Sequence, residues 1–382
     1  MTPEEISAAT QTFEQATGTK LPPPKAAGQN ARVVLPPRKA LWEYGDVVPD
    51  LGNTLLADRF LCREGGMLFV GPSGIGKSSA SIQQDSLWCI GEAAFGICPA
   101  RPLKIVGIQA EDDEGDLYEF IAGARLNLKL TADQDRLCRA NCAYYCHKAL
   151  TGHEFLQGYL RPVLARDRPD LVRLNPLQAY LGGDVKDTAL VSGFLRNGLN
   201  PLLEEFQCAA IIVCHTPKTN FRTTEKWRFS DWQYAVAGAG DLTNWARTIL
   251  VIEPTPIMGV HKFIAAKRGA RIGWENEYGD RETSRYFAHA ERGIFWQPAT
   301  EQQIAEALAG KPEVTTEDVL RLLPPDGTAV WKQDFLMQIR QELKLAKHPA
   351  WKLVDQLVAE NRIVAAVQNR RVYLSLDNNE SF

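Results

Sequence analysis

The middle of the chain alternates short apolar runs with amphipathic helical patterns. Runs of this length, separated by helical stretches, are typical of a largely parallel sheet with helices on both faces. The pattern therefore predicts an α/β fold over residues 40–298. The predicted strands are Met67–Val70, Lys104–Ala110, Leu171–Leu174, Ala209–Cys214, Thr248–Glu253 and His261–Ala266.

Outside this region the pattern changes on both sides. Residues 1–39 combine a short amphipathic helix, carrying Ile6 and Phe13 on its apolar side, with a proline-rich stretch that is typical of an extended linker. Residues 299–312 form a connector, and residues 313–378 contain three helical patterns followed by two strands around Gln368 and Asn369. Three helices and a hairpin in this order predict a C-terminal winged-helix domain.

Composition narrows the class of protein. The chain is 45% hydrophobic and 23% charged, which excludes collagen, coiled coil and general disorder. The chain has 43 Lys and Arg and 46 Asp and Glu, a net charge of −3. A nucleic acid would therefore have to bind to a local basic patch. No apolar run approaches the roughly 20 residues of a membrane span, and the acidic start MTPEEISAAT lacks the order of a signal peptide. We expect a cytoplasmic protein without a membrane partner.

Cysteine usage fits a reducing compartment. Several of the eight cysteines lie inside apolar stretches, which favours buried thiols over a disulfide framework. Cys138, Cys142 and Cys146 with His147 have no paired CxxC spacing, so thiols packed near a strand are favoured over a metal site.

The strongest motif is GPSGIGKS, which fills the pattern GxxxxGK[ST] between a predicted strand and a predicted helix. In this setting the loop N–H groups and the helix N-terminus bind phosphate oxygens, Lys77 reaches the β- and γ-phosphates, and Ser78 offers its hydroxyl to Mg²⁺. The sequence thus predicts a nucleotide site with ATP and Mg²⁺ as ligands. The expected phosphate-binding residues are Gly71, Pro72, Ser73, Gly74, Ile75, Gly76, Lys77, Ser78 and Ser79.

Three strand ends supply candidates for hydrolysis. Glu111 follows the strand KIVGIQA and is expected to orient or deprotonate water, while Asp112 to Glu114 are expected to cap the next helix. His215 follows the strand AAIIVC and is expected to sense the γ-phosphate. Because the carboxyl ends of parallel strands meet at one sheet edge, these groups should converge.

The remaining strand ends in Asn175, where an acidic metal ligand is expected in a site of this kind. Asn carries no charge, so either the affinity for Mg²⁺ is reduced, another acid compensates, or the chain is a natural or engineered variant. We assign Ser78 and Asn175 to the metal. Asp184 is the nearest spare carboxylate, although a turn role is favoured for it.

Four segments, GPSGIGKSS, IQAEDDEGD, PDLVRLNPLQAYLGGD and IIVCHTPKT, occur in this order. Together they resemble RecA-like ATPases of the RepA type, the hexameric helicase group of plasmids, phages and integrated elements, over roughly residues 51–273. The resemblance implies a RecA-like P-loop core, Glu111 as catalytic carboxylate, His215 coupling the γ-phosphate to nearby loops, and ATP bound between subunits. It also implies a basic residue from the neighbouring subunit, with Lys267 the better match and Arg268 or Arg271 undecided. The family has Asp at the position of Asn175. This departure puts the rate of turnover in question, rather than nucleotide binding.

Two regions carry the features of a nucleic-acid interface. One follows His215 and interleaves basic with aromatic residues, the two ingredients of single-strand binding, although its aromatics could instead anchor a lid on the same domain. The other is the C-terminal module, where residues 332–371 hold eight basic and four acidic residues. This module could contact duplex or forked DNA, or dock a protein. The assigned residues are Lys218, Arg222, Lys226, Trp227, Arg228 and Trp232 in the first region, and Lys347, Lys352, Arg370 and Arg371 in the second.

The sequence therefore predicts a DNA-acting motor ATPase, a homo-oligomer, most simply a hexameric replicative-type helicase of a mobile element. It would act on single-stranded or forked DNA and could contact a primase or an initiator protein. Two alternatives stay open: an ATP-switched DNA-loading factor that does not unwind, and a low-turnover nucleotide sensor that serves as an assembly platform.

Overall fold

The computed structural model describes residues 38–46, 51–216, 240–309, 314–343, 345, 347–369 and 371–376. The chain divides into one unit over residues 1–50 and another over 51–382. In the first unit the described part is a single 3₁₀ turn, Trp42–Tyr44. The expected N-terminal helix at residues 2–13 lies outside the described residues.

A nine-stranded sheet forms the centre of the second unit. Its strand order is β11-β10-β9-β8-β3-β7-β6-β4-β5, and the strands from β8 to β5 run parallel, whereas β9, β10 and β11 are added antiparallel. These strands are β3 (Gly66–Gly71), β4 (Ile105–Gln109), β5 (Cys142–Cys146), β6 (Leu171–Asn175), β7 (Ala209–His215), β8 (Thr248–Pro254), β9 (Val260–Lys267), β10 (Ser284–His289) and β11 (Trp296–Pro298).

The helices are distributed over both faces of this sheet, and a small pair of strands, β1 (Thr54–Leu56) and β2 (Leu61–Cys62), precedes it. Two helices contain an internal π-helical turn, at Phe155–Leu160 and Gly193–Leu199. The helices are α1 (Lys77–Trp88), α2 (Glu114–Leu128), α3 (Ala132–Asn141), α4 (152–167), α5 (Leu177–Leu181), α6 (188–206) and α7 (Gly240–Trp245).

The alternation of side chains along β3 explains why the sheet is covered on both faces. Leu68 and Val70 pack with α4, α5 and α6 in one core, whereas Met67 and Phe69 pack with α1 and the aromatic residues of β9 to β11 in the other. A strand buried on both faces is apolar at most positions, which is the pattern that predicted β3. The α/β fold with a large, mostly parallel sheet is confirmed.

The C-terminal segment has a separate hydrophobic core, built around Phe335, Ile339 and Leu357. Its elements are α9 (Thr316–Leu320), β12 (Val330–Trp331), α10 (Lys332–Glu342), α11 (Lys347–Ala359), β13 (Ile363–Gln368) and β14 (Arg371–Leu376), and α8 (Glu301–Ala309) precedes them. The three strands form an antiparallel sheet in the order β12-β14-β13. The predicted helices and hairpin are present, and the sequence patterns missed the short strand β12.

None of the helices in the described ranges has the length and apolar character that a bilayer crossing requires. In the same part of the chain, no three or more His, Cys, Asp or Glu side chains are arranged to hold a metal ion. The Sγ atoms of Cys89 and Cys138 lie 3.6 Å apart, and both residues pack in the core that contains α1.

Candidate nucleotide site

The loop between β3 and α1 has the backbone of a phosphate cradle. Gly74 and Gly76 adopt φ angles of +76° and +95°, which non-glycine residues rarely take. A Cβ atom at Gly76 would also lie 2.8 Å from the Trp296 ring. Glycine is therefore required at position 76 both for its backbone conformation and for its close packing. The N-terminal N–H groups of α1 face this loop, which is the arrangement that binds anions.

Lys77 is buried beneath the loop and bonds back to it. Its ammonium group donates to the backbone oxygens of Gly71 and Pro72 at 2.9 and 2.7 Å. Burial lowers the pKa of Lys77 to about 8, and the Glu111 carboxylate offsets part of this effect. The amine is thus held at the loop by two backbone carbonyls.

His215 connects Lys77 with Glu111. The Lys77 Nζ atom lies 3.1 Å from His215 Nδ1, and His215 Nε2 lies 3.8 Å from Glu111 Oε1. Burial lowers the pKa of His215, and the neighbouring Lys77 lowers it further. The imidazole is therefore neutral near pH 7, with Nδ1 accepting from the ammonium group and Nε2–H facing the carboxylate. Half of the Glu111 side chain is exposed, which leaves it open to water.

The strand register explains why these residues meet. Gly71 of β3 pairs with His215 of β7, and Gln109 of β4 pairs with Asn175 of β6. All four positions end parallel strands at one edge of the sheet, and Glu111 follows two residues after Gln109. The structure brings Lys77, Ser78, Glu111, Asn175 and His215 together, as the sequence predicted.

The hydroxyl of Ser78 and the amide of Asn175 form a direct contact. Asn175 Nδ2 donates to Ser78 Oγ at 3.1 Å, and Asn175 is only 3% exposed. Mg²⁺ prefers oxygen ligands, keeps several of its waters and is usually held together with substrate phosphates. The Ser78 hydroxyl and the nearby Asp112 carboxyl group, which has one oxygen without a hydrogen-bond partner, fit such an ion.

Asp184, the other candidate acid, accepts from Lys186 N at 2.9 Å within its own turn, which confirms the turn role.

Asp113, and not Asp112, caps α2. The Asp113 side chain accepts from the N–H groups of Gly115 and Asp116, and the Asp116 carboxylate accepts from Asp113 N in return. Asp112 is partly buried, with one carboxylate oxygen that has no hydrogen-bond partner. The expectation that Asp112 shares the capping role was therefore wrong, because a capping box has room for a single N-cap side chain.

Lys267 and Arg268, the candidates for a residue that acts on a neighbouring subunit, differ in their surroundings. The Lys267 ammonium group donates to the carbonyls of Thr243 and Ala246 at 2.8 and 2.6 Å, where α7 ends. Burial lowers its pKa, and Arg268 adds to this shift. Arg268 is exposed at the end of β9. Arg271 donates to the carbonyl of Asp58.

The candidate nucleic-acid residues are placed only in part. The whole set from Lys218 to Trp232 lies outside the described residues, as do Arg370 and the side chain of Lys347. Lys352 is exposed on α11, and Arg371 begins β14 with its guanidinium group 4.8 Å from the centre of the Trp331 ring.

The sequence patterns missed several side chains that support the site. Trp296 of β11 contacts the P-loop region, where its Nε1 donates to Ser79 Oγ at 3.0 Å. Arg173 of β6 forms a buried ion pair with Asp85 of α1. One signal was available, because a charged residue inside the apolar run Leu171–Leu174 requires a buried partner.

Comparison with known proteins gives a family match and several structural likenesses. Residues 41–220 match the model of a protein family described as an AAA domain. A solved structure described as an ATPase domain is similar at 13% sequence identity and a TM-score of 0.41, covering 61% of this chain and 85% of that chain. A crystal structure of the RadB recombinase is similar at 16% identity and a TM-score of 0.39, covering 61% and 90%. No curated protein matches the chain in sequence.

Proposed function

We propose that this RecA-like P-loop domain hydrolyses ATP with Mg²⁺ and couples hydrolysis to DNA in a homo-oligomer, as a hexameric replicative-type helicase of a mobile element does. The observation that carries the ATPase part is the connected arrangement of Lys77, His215 and Glu111 at the P-loop. The AAA-domain match over residues 41–220 supports the same activity.

In this proposal each side chain has a distinct task. The N–H groups of the loop and of α1 bind the phosphates of ATP, and Lys77 exchanges its bonds with the carbonyls of Gly71 and Pro72 for phosphate oxygens. Mg²⁺ bound beside Ser78 would neutralise charge on the phosphates. Glu111, exposed to solvent beside the loop, orients a water molecule for attack on the γ-phosphate.

His215 is proposed to report the state of the nucleotide. When Lys77 turns towards phosphate, His215 Nδ1 loses its donor, and its interaction with Glu111 through Nε2 is free to change. His215 ends β7 directly before the segment that contains the basic and aromatic residues from Lys218 to Trp232. The imidazole therefore links the phosphate site with the proposed DNA-binding segment through the chain itself.

A neighbouring copy would complete the site with a basic residue. The exposed Arg268 is better placed for this task than Lys267, whose ammonium group is engaged by the carbonyls at the end of α7. In this proposal Lys267 holds the turn in which Arg268 lies. Arg271 is held by the Asp58 carbonyl of its own chain.

The ATPase assignment is tested by steady-state hydrolysis and by nucleotide binding. We expect Glu111→Gln to abolish hydrolysis while retaining binding of a fluorescent ATP analogue, and Lys77→Ala to lose both. Glu114→Gln, three residues further along and in the first turn of α2, is the matched control. Hydrolysis that is unchanged in both Glu111→Gln and Lys77→Ala would contradict the assignment of the site.

DNA coupling requires its own measurements. We expect single-stranded DNA to stimulate hydrolysis, and the assembled oligomer to separate the strands of a forked duplex in the presence of ATP. Stimulated hydrolysis without strand displacement would favour an ATP-switched loading factor. Hydrolysis indifferent to DNA would contradict both the helicase and the loading factor.

One observation favours a second candidate, a low-turnover nucleotide sensor. The side chain at the end of β6 is the neutral Asn175, which donates to Ser78 and adds no negative charge at the metal position. Comparing hydrolysis by the natural chain and by Asn175→Asp separates the candidates. A large gain in turnover would favour the sensor, whereas equal and substantial turnover would show that an acid at position 175 is dispensable.

A further inference from the structure

Asp112 has an unsatisfied carboxylate oxygen at the nucleotide site. Its Oδ2 atom is buried and has no hydrogen-bond partner. Burial raises the pKa of Asp112, and a contact from the Ser78 hydroxyl opposes part of the rise. An unpaired carboxylate oxygen in a buried position is costly, so its retention calls for a partner that binds there.

The neighbouring groups point to the nature of that partner. Asn175 contributes the nitrogen of its amide to Ser78, so the end of β6 presents a donor where a cation would need a negative oxygen. Ser78 is the P-loop residue whose hydroxyl binds Mg²⁺ in sites of this kind. Asp112 is the acid whose pKa that hydroxyl lowers, which places the carboxyl group close to Ser78.

A second polar side chain at the same edge is unsatisfied. Gln109 is 0% exposed, and neither its Nε2 nor its Oε1 atom has a hydrogen-bond partner. It shares the face of β4 on which Ile105 packs with the core of α1, and it pairs with Asn175 on the next strand. An amide oxygen in this position can accept a hydrogen bond from a metal-bound water.

We propose that Asp112 supplies the negative charge that the end of β6 lacks, and that it holds the Mg²⁺ of the bound nucleotide together with Ser78. Asp112 takes over the metal-binding task, and Asn175 orients the Ser78 hydroxyl. This inference rests on the proposed nucleotide binding at the P-loop and deepens it.

The structure separates this task from those of the adjacent acids. Asp113 is engaged as the N-cap of α2, and Glu111 is more exposed and faces His215. Asp112 lies between them and makes neither interaction, although Lys148 is near enough to lower its pKa slightly. In the described residues, no three His, Cys, Asp or Glu side chains are grouped to hold a metal ion. A site with Asp112 as its one carboxylate needs no such group, because phosphate oxygens and water supply the remaining ligands of Mg²⁺.

The test measures metal binding directly, using Mn²⁺ as the probe. The affinity of the protein–ADP complex for Mn²⁺ is determined from the electron paramagnetic resonance signal of the free ion. We expect Asp112→Asn to weaken Mn²⁺ binding by roughly 10- to 100-fold. The affinity for ADP in the presence of a chelator should change little. Asp113→Asn, which keeps a side chain that can cap a helix, is the matched control and should bind Mn²⁺ like the natural chain.

A charge exchange sharpens the test. In Asp112→Asn combined with Asn175→Asp, the carboxylate returns to the end of β6, and we expect Mn²⁺ affinity to recover most of the loss. Equal Mn²⁺ affinity for Asp112→Asn and Asp113→Asn would overturn the inference while leaving the nucleotide site intact. Failure of the natural chain to bind ADP with Mg²⁺ or Mn²⁺ present would instead overturn the proposed function. A thermal unfolding midpoint close to that of the natural chain establishes that each variant is folded.

Discussion

Arg173 of β6 and Asp85 of α1 form an ion pair that is sealed from solvent. Arg173 Nε lies 2.8 Å from Asp85 Oδ2, Nη2 lies 2.5 Å from Oδ1, and the two side chains are 1% and 0% exposed. The hydroxyl of Tyr144 on β5 also donates to Asp85 at 2.5 Å. The pair ties the P-loop helix to β6, the strand that ends at Asn175, and Asn175 in turn donates to Ser78 at the start of that helix.

Removing one partner of this pair should destabilise the protein strongly. Arg173→Met leaves the Asp85 carboxylate buried without its cation, and we expect a loss of about 3–5 kcal/mol in the free energy of unfolding. Urea unfolding followed by circular dichroism measures this change. The control is Arg161→Met, which breaks the exposed pair with Glu205 and should cost at most about 1 kcal/mol.

A double variant tests whether the loss arises from the unpaired charge. Arg173→Met combined with Asp85→Leu removes both charges, and we expect it to be more stable than Arg173→Met alone. A double variant that is the less stable of the two would show that packing, rather than the stranded carboxylate, determines the cost.

Trp296 is expected to support the P-loop from the antiparallel side of the sheet. Its ring lies against Gly76, its Nε1 donates to Ser79, and its backbone exchanges two hydrogen bonds with Gln83 at 2.8 and 2.9 Å. Trp296→Ala should lower the free energy of unfolding by about 3–5 kcal/mol and also weaken nucleotide binding. Ser79→Ala leaves only the indole donor unpaired and should cost about 1–3 kcal/mol. Fluorescent-nucleotide titrations showing natural affinity in folded Trp296→Ala would refute the supporting role.

His261 should make the stability of the protein dependent on acid pH. Burial lowers its pKa from 6.5 to about 4, and the nearby His289 adds to the shift. Because the unfolded chain binds this proton more readily, the contribution of His261 is complete above pH 6.5 and is lost as the pH falls towards 4. Its Nδ1 has no hydrogen-bond partner, so His261→Phe should reduce the fall in thermal unfolding midpoint between pH 6.5 and 4. His153→Gln, at an exposed position, should leave that pH profile unchanged.

His215 should affect coupling more than nucleotide affinity. In His215→Asn the amide oxygen can still accept from Lys77, whereas nothing replaces the Nε2 atom that faces Glu111. We expect nucleotide affinity to stay within a few-fold of that of the natural chain, while stimulation of hydrolysis by single-stranded DNA falls by roughly 5- to 150-fold. Hydrolysis rates with and without DNA, at saturating ATP, provide the comparison. Full stimulation in His215→Asn would exclude the imidazole from the coupling.

The aromatic and basic residues after His215 should contribute to DNA binding in different ways. Trp227→Ala and Trp232→Ala should each weaken binding to single-stranded DNA by about 1–3 kcal/mol. Lys226→Ala and Arg228→Ala should each reduce the slope of log K against log salt concentration by about 0.7. Fluorescence anisotropy at several salt concentrations measures both effects. Tyr278→Ala, which removes an aromatic ring that is 82% exposed in the turn between Glu275 and Arg281, is the control.

Much of the fold follows from local patterns. The ends of the six predicted strands lie within one residue of those in the structure, from Gly66–Gly71 to Val260–Lys267, because largely buried strands are apolar at most positions. The sequence patterns missed β5, β10 and β11. β5 is an edge strand whose positions are mostly half-buried, and its composition of Cys, Ala and Tyr therefore lacks a strong pattern. The antiparallel strands at the other edge mix polar and aromatic residues for the same reason.

The candidate site divides in a similar way. The P-loop is contiguous in sequence, and its glycines, Lys77 and Ser78 act through the local backbone, so the amino-acid sequence alone identifies them. Glu111, Asn175 and His215 could be assigned because each directly follows a predicted strand of a parallel sheet. The sequence by itself thus determined the type of sheet, the P-loop and the edge of the sheet at which the candidate residues lie.

Only the tertiary structure decided which polar groups pair at that edge. In the structure Asp113 is the N-cap of α2, and one carboxylate oxygen of Asp112 has no hydrogen-bond partner. The tertiary structure also joined Arg173 to Asp85 across 88 positions of the chain and brought Trp296 against the P-loop. The physical reason is that a hydrogen bond or ion pair depends on distances of about 3 Å between atoms. Such distances are set when elements far apart in sequence pack together. Local sequence patterns predict only which residues are buried.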